Sequence, residues 1–510
     1  MLNFIDKQLN RITMYKLLLY YLIVLVLVAM GLSYAGVLRF NALLVGISAV
    51  ILLITCWAVN KVFAAIFNAP TNVESVYITA LILALIIPPT TDGNAAEHIA
   101  FLLAASGLAM ASKYILTIHK KHIFNPAAIA VVLTAIGPRQ SADWWVGTSA
   151  MLPYVLLGGV LLVRKIRRGR MVVTFFASTL IATAIYSLLA RSGVYMGLKE
   201  TITTSAMFFL GFIMLTEPLT TPSTARKQSW YAILTGILFP PQFHILSLYS
   251  TPELALITSN VFSYVISPKA KLFPTLKQML RLTPDSADFV FSPNHKRFSY
   301  IPGQYMEWTL PHDGVDSRGD RRYFTLASSP TEPDLRIGVK FYNRSSTYKE
   351  ALLGATPKTP IVASGVSGDF VMPKDPKQKL VFIAGGIGVT PYRSMIKYLL
   401  DKKDPRTITM LYSAKTTNDF AYQEVFEEAR REFGLNTIYV VSDKSITEMH
   451  EHVRMGRISS ELIKKEISDY QERIFYISGP HRMVTDIKKV LNALGVQKHQ
   501  IKLDYFSGYT

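Results

Sequence analysis

The chain has 510 residues, half of them hydrophobic, with a mean hydropathy of +0.27 and a formal net charge of +19. A single cysteine, Cys56, excludes an internal disulfide and an iron–sulfur cluster held by this chain's thiolates. The basic excess sits largely in short loops between apolar runs, which fits orientation in a membrane and attraction to anionic lipid, and argues against nucleic-acid binding.

Apolar runs centre on residues 15–34, 42–60, 76–89, 97–116, 124–137, 149–163, 171–190, 203–217, 230–248 and 254–267. They predict about ten membrane-spanning helices. The first run lacks a small-residue cleavage site and many more follow it, so it reads as a span and not as a signal peptide. With the N-terminus in the cytoplasm, the inner segments carry fifteen cations: Lys7, Arg11, Lys16, Lys61, Lys120, Lys121, Arg164, Lys165, Arg167, Arg168, Arg170, Arg226, Lys227, Lys269 and Lys271. The outer segments carry four: Arg39, Arg139, Arg191 and Lys199. That asymmetry follows the positive-inside rule and puts both termini in the cytoplasm of a multi-pass inner-membrane protein.

A weak repeat links Glu74-Ser-Val-Tyr-Ile-Thr, running to Pro88-Pro89-Thr90-Thr91, with Glu200-Thr-Ile-Thr-Thr, running to Glu217-Pro218-Leu219-Thr220-Thr221. These are the third and eighth runs. A five-span unit inverts its topology and predicts an inverted repeat with a site near the midplane. No two runs carry matching histidine pairs: His98 starts a helix, His119 and His122 flank a basic loop, and His244 stands alone, which disfavours haem.

Phe124-Asn125-Pro126-Ala127-Ala128, Trp144-Trp145-Val146-Gly147-Thr148-Ser149-Ala150-Met151-Leu152-Pro153, Leu157-Gly158-Gly159 and Thr216-Glu217-Pro218-Leu219-Thr220-Thr221-Pro222 resemble the RnfD/NqrB family. These are ten-span membrane subunits of the Rnf complex and the sodium-pumping NADH:quinone reductase. The resemblance implies flavin and electron transfer through the membrane. The family's Ser-Gly-Ala-Thr attachment motif is absent, which argues against covalent FMN and leaves non-covalent FMN or riboflavin.

From about Leu276 the pattern changes. Short alternating stretches, Phe289-Val-Phe, Tyr305–Leu310, Tyr323–Leu326 and Leu335–Phe341, separated by Pro, Gly and Asp, predict a small antiparallel β-barrel. After Pro373 strands and helices alternate: strands at 380–384, 407–412, 436–441 and 474–477, helices at 391–401, 420–432, 459–468 and 482–494. That is a doubly wound α/β domain. Its first strand, Leu380–Ala384, runs into Gly385, Gly386, Gly388, Thr390 and Pro391. Glycines there let backbone N–H groups approach a diphosphate, and Pro391 suits a first helical turn. The predicted domains are a membrane domain at 1–270, a barrel at 271–375 and a nucleotide domain at 376–510.

Six motifs in order resemble the ferredoxin–NADP reductase family: Gly303-Gln304-Tyr305, Arg322–Ser328, Gly365-Val-Ser-Gly368-Asp369-Phe370, the glycine turn, Tyr412-Ser413 and Ser478-Gly479-Pro480, with Phe506 as a terminal aromatic. The resemblance implies FAD in the barrel and NADH or NADPH on the α/β domain. A guanidinium forks onto a diphosphate, so Arg322 is assigned to FAD phosphates, with Ser346 and Thr347 beside it. Tyr323, Phe324 and Thr325 belong to the flavin motif; Phe324 would cover one isoalloxazine face and Thr325 would hydrogen-bond N5. Phe506 would cover the other face. Gly385, Gly386, Gly388, Thr390 and Ser413 would hold the coenzyme, and Gly479 and Pro480 would shape the nicotinamide pocket. The family often has glycine where this chain has Asn343-Arg344-Ser345. Lys415 could reach a 2′-phosphate, but reads more simply as an exposed lysine; NADH is favoured by resemblance to the flavin subunit of the sodium-pumping reductase.

The expected function is a membrane-bound, flavin-dependent NAD(P)H dehydrogenase. Hydride passes from NAD(P)H to FAD, and electrons continue to a quinone, a flavoprotein or another acceptor across the membrane. Two other readings stand beside it: spans that only anchor a reductase of a soluble partner, and a redox-linked ion transporter.

Overall fold

The computed structural model describes residues 5, 8, 9, 12–67, 73–89, 95–118, 121–137, 139–267, 271–293, 299–316, 318–343, 345–443 and 452–504. The chain divides into two compact units, Met1–Ala270 and Lys271–Thr510. Lys7, Arg11, Thr90, Thr91, His119, Lys120, Lys269, Arg344 and Phe506, all used above, lie outside the described residues.

The first unit is helical, and helical segments overlap the apolar runs. Among the described residues, four helices are long and apolar enough to cross a membrane: Met14–Tyr34, Ala42–Ile66, Ala95–Ile115 and Gly169–Leu189. Their outer faces are strongly apolar; Leu43, Ile54, Val173 and Leu188 are all more than 60% exposed. Such faces mark a surface made for lipid or a partner, since water would not favour them. Val73–Ile86 and Pro126–Ile136 are shorter and more deeply buried. The eighth run does not form a regular α-helix: Met207–Phe209 passes into a π-turn at Leu210–Met214. Gly211 there lies against Phe175 and Phe176, leaving no room for a side chain.

Polar groups stitch these helices together where apolar packing cannot. The Trp145 indole donates to the carbonyls of Ala84 (3.1 Å) and Ile87 (3.0 Å), at the end of Val73–Ile86, where helical partners run out. The Trp144 indole donates to Glu253 at 2.7 Å. Asn125 caps its own helix through the N–H groups of Ala127 and Ala128, each at 3.1 Å. Its amide donates to Glu217 at 3.0 Å, and its backbone N–H donates to Asn260 at 2.9 Å. The Phe124–Ala128 and Thr216–Pro222 segments therefore meet.

In the second unit the antiparallel strands form two sheets. One orders Leu335–Lys340, Ser286–Ser292 and Thr275–Thr283; the other orders Lys271–Leu272, Val362–Ser367, Tyr305–Thr309 and Arg321–Thr325. The Ala327 N–H donates to the Arg336 carbonyl at 2.8 Å, tying one sheet to the other. Gln304 joins two motifs: its amide oxygen accepts from Ile301 N–H at 2.9 Å, and its NH2 donates to the Gly368 carbonyl at 3.2 Å.

Residues 380–504 form a six-stranded parallel sheet ordered Val453–Met455, Asn436–Val441, Ile408–Ala414, Leu380–Gly385, Ile474–Ser478, Ile501–Asp504. Strand Leu380–Gly385 is central and fully buried. That suits its continuous apolar run, because helices cover both faces of a parallel sheet. The edge strands Val453–Met455 and Ile501–Asp504 carry no long apolar run, which hid them in the sequence.

Candidate functional site

The register of the parallel sheet sets the coenzyme-type residues side by side. Gly385 is paired with Ser413, and Ala384 with Ser478, so the glycine turn, Ser413 and Gly479 sit at the carboxyl ends of neighbouring strands. That edge is where open α/β sheets bind ligands. Gly386–Val389 is a single 3-10 turn leading into the helix Thr390–Lys402, with Pro391 in its first turn. A Cβ on Gly388 would lie 2.5 Å from Gly479 Cα, so the two glycine turns touch backbone to backbone. Pro480 and Met483 crowd Gly385 from the same side. Beneath the turn, the buried Tyr392 hydroxyl lies 3.0 Å from the Ile383 carbonyl and 2.8 Å from that of Tyr476. The Tyr412 hydroxyl donates to the Gly386 carbonyl at 3.2 Å.

The flavin-motif residues lie on strand Arg321–Thr325, which pairs antiparallel with Tyr305–Thr309. Side chains alternate across a strand, so Arg322 and Phe324 share one face while Tyr323 and Thr325 share the other. Contacts agree with that division. Arg322 stacks 5.0 Å over the Tyr348 ring, and Phe324 lies 6.0 Å from it. Tyr323 meets Tyr305 edge-on at 5.7 Å and donates to Glu307 at 2.7 Å. Arg322 is buried, and its Nη1 donates to the carbonyls of Arg318 (2.9 Å), Gly319 (2.9 Å) and Arg321 (2.6 Å). Its Nη2 lies 3.8 Å from Asp316.

Ser346 caps the helix Thr347–Leu353, accepting from Lys349 N–H at 3.4 Å. The Thr347 hydroxyl is engaged by His312 Nε2 at 3.0 Å and by the Asp316 N–H at 3.1 Å. Lys349, which no motif singled out, belongs to the same cluster. Burial pushes its ammonium down to about 8, and the nearby charges of Arg322, Arg318 and Lys340 push it the same way. Arg322 and Lys349 stand near this cap, with Arg318 paired to Asp316 at 2.6 Å and Lys340 to Asp285 at 2.7 Å, and an anionic diphosphate would offset the excess positive charge there. The donor set thus fits the diphosphate of FAD. The structure brings Arg322, Phe324, Ser346 and Thr347 together, and separately brings Gly385, Gly386, Gly388, Thr390, Ser413, Gly479 and Pro480 together.

Comparison with known proteins bears on the second unit as a whole. Residues 382–489 match the family of oxidoreductase NAD-binding domains. The flavohemoprotein of Bacillus cereus is 28% identical over 218 residues, covering 41% of this chain and 53% of that relative. Flavohemoprotein B of Dictyostelium discoideum is 27% identical over 233 residues, covering 42% and 53%. The chain spans about half the length of the curated relatives it matches. A solved structure, the flavohem-like FAD/NAD-binding domain of nitric oxide dioxygenase from Vibrio cholerae, is 22% identical, with a TM-score of 0.40, and covers 46% of this chain and 98% of that one. The C-terminal unit carries an oxidoreductase NAD-binding domain and is similar over 218 residues to a flavohemoprotein.

Proposed function

We propose that the chain is a membrane-bound NAD(P)H oxidoreductase that passes electrons from its C-terminal module to its N-terminal helical unit. One observation carries this reading: an oxidoreductase NAD-binding domain and four helices of membrane-crossing length and hydropathy share one polypeptide. Bound FAD supplies a two-electron acceptor for the hydride of NAD(P)H. The chain's own work is binding and orientation. Arg322, Ser346 and Thr347, with Lys349, hold the FAD diphosphate. Tyr323 belongs to the same flavin-binding strand, Phe324 covers the ring, and Thr325 steadies N5. Gly385, Gly386, Gly388, Thr390 and Ser413 would seat the coenzyme and Gly479 and Pro480 would shape the nicotinamide pocket, while Phe506, outside the described residues, keeps its expected role at the flavin. Residues 271–375 and 376–510 are the two domains of this module.

In the N-terminal unit, ten spans in an inverted repeat, with both termini cytoplasmic, are supported by the cation asymmetry of the loops and by the likeness of the third and eighth runs. The acceptor is a quinone, a flavin held non-covalently there, or a molecule on the far side. Sealed vesicles holding the full chain test the route: NAD(P)H added on one side reduces an impermeant acceptor on the other. Reduction confined to the side that carries the module would overturn it. Flavin extracted from the purified chain adds a stoichiometry, and two flavins per chain implicate the helical unit.

A further inference from the structure

Within the second unit, the flavin-motif strand and the glycine turn are joined by a buried polar seam. Arg393, three residues after Thr390 and 3% exposed, forms a two-pronged pair with Glu332; its Nη2 lies 2.8 Å from Oε1, and its Nη1 reaches Oε2 and the Ala327 carbonyl, the latter at 3.1 Å. Glu332 also accepts from Ser329 N–H at 2.6 Å. The Ser394 hydroxyl donates to the Ser328 carbonyl at 2.5 Å. Ala327, Ser328 and Ser329 follow the Arg321–Thr325 strand after Leu326. The start of the coenzyme helix is therefore pinned to the end of the flavin motif.

The seam continues through Arg336 to Asp288. Arg336 Nε donates to the buried Asp288 carboxylate at 2.7 Å, and Gly338, two residues on, is paired with Asp288 across the sheet. A Cβ at Gly338 would lie 2.7 Å from Thr390 Cγ2, 2.8 Å from the Tyr422 hydroxyl and 3.0 Å from Ile387 Cδ1. Gly338 thus lets the strand lie directly against the glycine turn. Replacing it would lift that turn away.

We propose that Arg393, Glu332 and Gly338 are positioning residues that set the height of the Thr390 turn over the flavin-motif strand, and so the distance the hydride crosses. This rests on the reading of the module given above. None of the three contacts a reacting atom; each acts by holding one element against another. A displacement of about 1 Å at a hydride donor can cost roughly a hundredfold in rate, so small shifts of the turn are large in effect.

The test follows flavin bleaching on rapid anaerobic mixing of the FAD-loaded full chain with increasing NADH and NADPH. In Gly338→Ala and Glu332→Gln the limiting rate should fall by about tenfold or more, with FAD content unchanged and half-saturating coenzyme shifted by less than about threefold. Arg393→Lys should retain a rate between those of the parent and Arg393→Met, because the ammonium keeps one prong of the pair. The inference is overturned if the limiting rates of Glu332→Gln and Arg393→Met stay within twofold of the parent, or if only half-saturation moves. If Gly338→Ala does not fold, Glu332→Gln and the Arg393→Lys and Arg393→Met pair decide. Reduction of the parent by either coenzyme tests the underlying reading separately; only the variants bear on the seam.

Discussion

The two halves of the C-terminal site are built from different materials. The proposed flavin side gathers Arg318, Arg322, Lys340 and Lys349, with Asp316 and Asp285 among them, near the cap of a short helix, so an anion there would be held by charge. The coenzyme side is made of backbone, with Gly388 against Gly479 at the strand ends. A charge-built site tolerates a change of shape better than a loss of charge. A backbone-built site has the reverse sensitivity, and substitutions can set one against the other.

The largest effect should come from Gly388→Ala. Its methyl would collide with the Gly479 backbone, and coenzyme-driven flavin reduction should fall by about a hundredfold while FAD content stays near that of the parent, as rapid mixing and flavin extraction would show. Equal loss of FAD would erase the contrast between the two sides. Next comes Arg322→Ala. Loss of charge-assisted bonds to a diphosphate should weaken FAD binding by roughly ten- to a hundredfold, read by titrating FAD into the apo chain. Arg322→Lys should recover part of this, and raised salt should weaken the parent in the same direction.

A smaller effect tracks pH through Lys349. Its ammonium loses its proton near 8 in the folded apo protein and near 10.5 in the unfolded chain. Between those values the unfolded chain binds more protons, so apo stability should rise with pH across that window. FAD affinity should move the opposite way, falling several-fold between pH 7 and 9.5 as one cation is lost. Thermal melts with and without FAD would show the two slopes, and Lys349→Met should flatten both. The smallest effect is expected at Lys415, an exposed residue; Lys415→Ala should leave the NADPH-to-NADH preference nearly unchanged, and a large drop in NADPH use would place the 2′-phosphate there.

What the sequence reveals divides along the same line. The glycine turn is legible because Gly385, Gly386 and Gly388 occupy places where a side chain would clash or the backbone turns, a constraint written into a few adjacent residues. The strand Leu380–Gly385 is legible because full burial needs an unbroken apolar run. The Arg393–Glu332 pair is not: its partners are far apart in the chain, and nothing local marks either. Lys349 was hidden for a similar reason, since one lysine in a short helix looks like a solvated surface group until Arg318, Arg322 and Lys340 are seen around it. The π-turn at Leu210–Met214 was invisible because composition there resembles any apolar helix.

Asn125 in the helical unit has a consequence of its own. Its amide is acceptor and donor at once: the oxygen receives two N–H groups of its own helix, and the nitrogen faces the Glu217 carboxylate. An Asn125→Asp substitution would keep the size and the cap but place a second carboxylate against that of Glu217. Exchanging one amide nitrogen for an oxygen would thus turn the junction of two distant segments from attraction to repulsion and loosen the unit from within.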